Sequence, residues 1–196
     1  GLNRDAGDPL RGEKANIGIL RGFRDISEQS RVGFLLTDRE LADGYNRVAS
    51  VDGRFKLTDN WITQMQFIGT ESEPSTGGET TTGYQRNIAL NRVGRMVNTH
   101  SHFIETTKDY RAELGFTNRF FKPDVSGIHN RLSLNFFPES PVIDSWDVTF
   151  FDVYLEDTDG ERIFHQIGPS FNVKTTTNHF GFGYTDFQEI LRPQDF

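Results

Sequence analysis

The stretch from Ser30 to Leu57, SRVGFLLTDRELADGYNRVASVDGRFKL, constrains this chain more than any other. It is two alternating runs around a polar centre. In Asn46–Leu57 the residues Ala49, Val51, Phe55 and Leu57 are apolar, with Gly53 among them, while Ser50, Asp52, Arg54 and Lys56 are polar. A period of two marks a β-strand with one dry face and one wet face. The period does not say which face looks outward. A soluble barrel or sandwich turns the apolar face inward; a barrel in a lipid bilayer turns it outward.

The same period recurs along the chain. Ala15–Arg24 places Ile17, Ile19 and Phe23 on one side. Arg31–Arg39 sets Val32, Phe34 and Leu36 against Arg31, Gly33, Thr37 and Arg39. Trp61–Thr70 sets Trp61, Met65 and Phe67 against Gln64 and Gln66, and Tyr84–Val93 with Met96–Glu105 reads as a hairpin about Gly94-Arg95. Ile128–Phe137 alternates again, whereas Trp146–Leu155 is a strand whose inward face the pattern does not assign. Arg162–Lys174 sets Ile163, Ile167, Phe171 and Val173 against Arg162, Gln166, Ser170, Asn172 and Lys174; Phe180, Phe182 and Tyr184 follow on a last alternating run. No stretch holds a 3.6-residue period through three helical turns. The fold class expected is all-β, an antiparallel up-and-down meander of about ten strands. One domain spans 1–196, with 1–14 as a loop or frayed N-terminus and 71–83 and 106–124 as long loops.

Composition narrows the classes. Apolar residues make up 35% of the chain, too few for a helical membrane protein and low for a well-filled soluble core, but compatible with strands that are polar at every second position. Eighteen Phe and 19 Gly beside two Met suit strands and tight turns. With no cysteine there is no disulfide framework and no thiolate metal site. The net charge of −7, with both signs interspersed and no basic patch, argues against a nucleic-acid partner. The chain begins at Gly1 without a signal peptide and is expected to be a piece of a longer protein.

Three features favour lipid on the outside. The strands run about ten residues, the length that crosses a bilayer at a tilt, whereas soluble strands average five or six. The polar face is rich in Arg, Asn, Gln, Ser and Thr along whole strands, as a wetted lumen would be. Connections alternate short (Ile26–Gln29, Thr58–Asn60, Gly94-Arg95) and long (Glu40–Tyr45, Glu71–Gly83, Thr106–Asp124), until Asp157–Gly160 breaks the pattern with a hairpin turn. Trp61, Tyr84, Trp146 and Tyr184 stand near strand ends as girdle candidates. Trp and Tyr equally suit half-buried strands.

Short motifs in order then resemble a known family. Leu20-Arg21-Gly22-Phe23-Arg24-Asp25, Ser30-Arg31-Val32-Gly33, Thr37-Asp38-Arg39-Glu40, Asn46-Arg47 and Val51-Asp52-Gly53-Arg54-Phe55 resemble the start of a bacterial outer-membrane β-barrel domain of unassigned function. That domain typically follows one resembling family-nine carbohydrate-binding modules. Tyr110–Arg119 and Phe136-Phe137-Pro138 are similar to later markers of the same family. The resemblance covers about Ala15–Phe137. It implies a Gram-negative outer-membrane location, outer-membrane lipid as a partner, and a preceding carbohydrate-binding-like domain and further barrel beyond this chain. It carries no hydrolase or carbohydrate-binding residue onto these positions.

No chemistry motif stands above its bland reading. His100-x-His102 puts two imidazoles on one strand face, a spacing that can hold Zn²⁺ or Cu²⁺, but no third ligand is evident by spacing. Polar lining is the reading taken, with His129, His165 and His179 structural, and no metal or cofactor is expected. Asp157-Thr158-Asp159-Gly160-Glu161 fails the EF-hand pattern, because Leu155 and Gln166 stand where acids are needed. Glu71 and Glu73 lie in a loop rather than on a rigid frame for paired catalysis. No nucleophile elbow and no phosphate loop occurs. Terminal Phe196 resembles the aromatic that ends many such barrels, but Pro193 interrupts the strand before it.

The expectation is therefore a non-catalytic outer-membrane barrel segment, structural and a path for solutes. Its lumen would be lined by Arg54, Lys56, Gln64, Gln66, Arg131, Asn135, Arg162 and Lys174. The alternative is a soluble β-sandwich or barrel binding a ligand such as a glycan, in which Val51, Phe55, Leu132, Leu134, Phe180 and Phe182 would be buried.

Overall fold

A computed structural model describes residues 10, 12–114 and 123–190. They form one antiparallel sheet of eleven strands: β1 (Ala15–Ser27), β2 (Ser30–Leu41), β3 (Gly44–Lys56), β4 (Trp61–Glu73), β5 (Thr81–Arg92), β6 (Val97–Thr106), β7 (Val125–Phe136), β8 (Ile143–Glu156), β9 (Arg162–Thr175), β10 (His179–Gly183) and β11 (Asp186–Glu189). Each pairs with the next from β1 to β10, and β11 returns to β9. No helix occurs among the described residues. β10 and β11 keep one register along β9 and are interrupted opposite Pro169, which has no N–H to donate. The wall is thus ten strands wide, as the alternation predicts. Among the described residues it is open: β1 and β10 do not pair.

The loops are shorter than the sequence suggests. Leu41 pairs with Gly44, so Glu40–Tyr45 contracts to a two-residue turn in which Ala42 takes φ 51°. Tyr45 pairs with Glu73 and Ser72 with Thr81, so the 71–83 loop contracts to 74–80. The two longest connections, 74–80 and 107–124, open from the same end of the sheet.

From β2 to β8 the pairing shows no register shift. Parity along each strand therefore fixes the face. One face carries nearly every buried strand residue, including Asn46, Ser50, Thr70, Gln85, Ile104, Thr106, Val153 and Phe164. No second layer of secondary structure among the described residues covers it. Such one-sided crowding means that the sheet curls, and this is its concave face. The convex face carries the apolar series. Val51 is 57% exposed and Phe182 77%; Leu132 and Phe180 are also exposed, and Phe55 and Leu134 are half-buried. None of the six residues that a soluble core would cover is buried. Each large apolar side chain left in water forgoes about 1.5–3 kcal/mol relative to burial, and patches this extended mark contact surfaces.

The apolar band crosses the strands obliquely. Phe34, Val51 and Phe67 stand in one cross-strand row, yet the same row continues through Arg86, Glu105, Ser126 and Glu156. On β7–β9 the apolar residues sit toward the other end: Leu134, Val148 and Phe171 share a row. The band shifts by roughly one residue per strand. With a rise of about 3.3 Å per residue and strands about 4.8 Å apart, a level band requires a strand tilt of about 35°, at the lower edge of the roughly 35–45° of closed barrels. Aromatics border it at the turn end, where Phe136 stacks on Trp146 at 3.9 Å and Trp146 meets Phe171 at 5.9 Å. At the loop end Arg47 bridges Asp38, Glu40 and Glu71, and Arg86 pairs with Glu105.

Strand β1 departs from the expected pattern. Ile17, Ile19 and Phe23 do lie on one side, but they pair with Arg39, Thr37 and Gly33 on the concave face. The convex side of β1 carries Gly18, Leu20, Gly22 and Arg24. The register is directly testable, since the chain has no cysteine. Met65 lies opposite Ile88, and Ala89 faces the other way. Met65→Cys with Ile88→Cys should lose both thiols to a disulfide under mild oxidation, whereas Met65→Cys with Ala89→Cys should keep them; equal oxidation of both pairs would refute the register.

Candidate functional site

The concave face gathers the polar residues of the wall. Of the expected lining residues, Arg54, Lys56, Gln64, Gln66, Arg131, Asn135 and Lys174 share this face by strand parity. Arg54 donates to the Gln29 carbonyl at 2.6 Å, and Lys56 lies 3.5 Å from Asp59. The Asn135 amide nitrogen is buried without a protein partner among the described residues. Arg162 is the exception. It lies beyond a register shift at the end of β8–β9 and donates to Gln188 of β11 at 2.5 Å.

Residues that the lining prediction omits complete the charge pattern. Arg21 grips Asp52 with two hydrogen bonds, and Arg31 donates to Asp25 at 2.6 Å. Arg39 also faces inward. Among the described strand residues of this face, Arg21, Arg31, Arg39, Arg54, Lys56, Arg131 and Lys174 stand against Asp25, Asp52, Asp147 and Glu189. Cations are in excess here, although the whole chain carries −7. A cleft of about 540 Å³ lies among Arg21, Arg31, Asp52, Arg54, Gln64 and His102.

The segment after β6 folds over this face near its loop end. Tyr84 and Thr107 exchange hydrogen bonds, and Tyr110 is only 4% exposed. Burial pushes its phenol pKa above the ordinary range. Asn46, fully buried, holds the segment with both ends of its amide. Its nitrogen donates to Ser72 Oγ at 2.6 Å and to the Arg111 carbonyl at 2.9 Å, and its oxygen accepts from the Glu113 N–H at 3.2 Å. The Arg111 N–H donates to Thr70 Oγ1, and Arg39 pairs with Glu113. Gly83 makes room: a Cβ there would lie 2.4 Å from Tyr110 backbone atoms. The sequence shows Asn46 and Gly83 only as members of strands; a buried Asn opposite Ser72 becomes visible only with the register. The Tyr110–Arg119 marker lies partly, and Pro193 and Phe196 wholly, outside the described residues.

The structure adds a third imidazole to the pair visible in the sequence. His100 and His102 share the concave face, and His129 joins them as the direct cross-strand partner of His102. His165 lies on the convex face, 3.4 Å from Asp152, and His179 begins β10. The acidic turn at Asp157 closes on itself, with the Glu161 N–H donating to Asp157 Oδ1 at 2.9 Å. No family model matches the chain, and comparison with curated proteins and with solved structures returns no match.

The inward segment gives a clear test. Leaving its buried amides unpaired costs roughly 1–3 kcal/mol, so Asn46→Ala should release it, and Gly83→Val should do so by steric displacement. Trypsin should then cut at Lys108 and Arg111 at least tenfold faster than in the native protein. Unchanged cutting in both variants would overturn the anchoring role.

Proposed function

We propose that this chain is a section of an outer-membrane β-barrel wall, non-catalytic, whose concave face lines a solute path. The observation that carries the reading is the oblique apolar band on the convex face. A water-soluble sheet has no reason to keep such side chains exposed along a line that becomes level only when the strands tilt. The long strands, the aromatics at the turn end and the charged belt at the loop end support the same placement. The two open edges would be met by further strands, since unpaired edges invite association. The resemblance noted in the sequence agrees with a Gram-negative outer membrane and a neighbouring carbohydrate-binding-like domain.

The full-length product should stay with the membrane through high-salt and carbonate washes and be released only by detergent. Recovery in the soluble fraction would sink the proposal. Within a folded barrel, Phe67→Arg should cost about 2–4 kcal/mol in a bilayer, while Gln66→Arg on the other face should be tolerated; the reverse order would invert the faces.

The excess of cations on the concave face gives the path a sign. In planar bilayers the full-length protein should conduct anions over cations, and Arg54→Glu with Arg131→Glu should shift the reversal potential toward cation selectivity. Cation preference in the native protein would remove the charge argument.

A further inference from the structure

We propose that His100, His102 and His129 form a site for a divalent transition metal, of the Zn²⁺, Ni²⁺ or Cu²⁺ class, on the concave face. The three residues come from two adjacent strands held in unshifted register. His102 and His129 are directly opposite, and His100 is two positions along the same face. One ring nitrogen from each lies within 4.8 Å of the others, and all three residues are half-buried. The rings of His100 and His129 are 5.1 Å apart at 66°, and those of His100 and His102 are 5.9 Å apart. Three nitrogens around Zn²⁺ at about 2.0–2.1 Å lie roughly 3.3 Å from one another. The present spacing, within 4.8 Å, contracts to that value when the three side chains close on a metal.

The surroundings fit the same assignment. His100 Nδ1 bonds the Asn91 side-chain oxygen at 2.6 Å, and His102 Nε2 bonds that of Asn87. Both acceptors are side-chain carbonyl oxygens, so a metal held by these two residues would take Nε2 of His100 and Nδ1 of His102. Ligating histidines are oriented by outer partners of this kind. Both asparagines sit on β5, on the same face and next to the site. No carboxylate belongs to the cluster, and an all-imidazole set excludes Ca²⁺ and Mg²⁺, which demand oxygen ligands. Three protein ligands leave a fourth position open. Arg131, directly opposite His100, would favour an anion or water there.

Equilibrium binding to the untagged full-length protein, freed of metal by chelation, tests this. Zn²⁺ should bind at one equivalent per chain with a micromolar or tighter dissociation constant. Co²⁺ in its place should give the visible absorption of a low-coordinate nitrogen site, and a hundredfold excess of Ca²⁺ should not compete. His129→Asn, which keeps a polar side chain of similar reach, should weaken Zn²⁺ at least tenfold, as should His102→Asn. His165→Asn, on the opposite face, should leave binding unchanged and report any general effect of losing an imidazole. Absence of stoichiometric Zn²⁺ binding, equal binding by native and His129→Asn protein, or loss in His165→Asn equal to that in His129→Asn would each overturn the assignment. The site does not depend on membrane insertion, so metal binding by a water-soluble protein would leave it standing while removing the barrel reading.

Discussion

Register is the constraint on which everything else in this wall depends. In a β-strand a slip of one residue moves every side chain to the opposite face. Six consecutive strand pairs, from β2–β3 to β7–β8, keep their pairing without a shift. The convex band and the concave polar face are two readings of that one fact. Where shifts do occur, near Asp25 and toward the two ends of β8–β9, they fall near strand ends and leave the middle of the band intact. Pro169 lacks the N–H that the ladder needs, and the neighbouring edge strand breaks opposite it, between Gly183 and Asp186.

A band that runs straight across the strands would describe a flat sheet; this one is staggered. The stagger is written into the sequence strand by strand. On β2 it occupies Val32, Phe34 and Leu36, on β5 Ile88 and Leu90 between Arg86 and Arg92, and on β8 Trp146, Val148 and Phe150 before Asp152. A stagger of this kind goes with strands that tilt relative to the band, although the described strands do not close. The exposed ion pairs at the loop end add little stability, each worth roughly 0–1 kcal/mol at most. Their consequence is positional: they mark where the apolar band must stop.

Legibility from sequence followed the chemistry of the two faces. In β3, where Val51 and Phe55 alternate with Asp52 and Arg54, parity alone sorted the residues, and the structure keeps that sorting. In β8 it could not, because Phe151, Val153 and Leu155 are as apolar as Trp146, Val148 and Phe150. Val153 and Leu155 face inward, where they pack with Ile104, Val125 and Phe164. A strand that is dry on both sides has no readable period. In β1 the alternation puts Ile17, Ile19 and Phe23 on one side without saying which, and pairing with β2 turns that side inward. His129 stands far from His102 in sequence, and only strand pairing makes them neighbours. Asn46 reads as one more polar position until the 107–114 segment supplies the groups that its amide satisfies.

These inward features are distributed unevenly along the strands, and the distribution has a physical consequence. Near the loop end the concave face is occupied twice, by the segment anchored on Asn46 over β3–β5 and by the apolar cluster of β6–β9. Toward the turn end the same face presents Arg54, Lys56, Arg131 and the three histidines, with no described segment folded over them. On the proposed reading, the loop end of this face is covered by the inward segment and the turn end is left open. In outer-membrane barrels the short turns lie on the periplasmic side. On the proposed reading, the charged and histidine-bearing part of the wall faces the periplasm, and the inward segment stands between it and the outside.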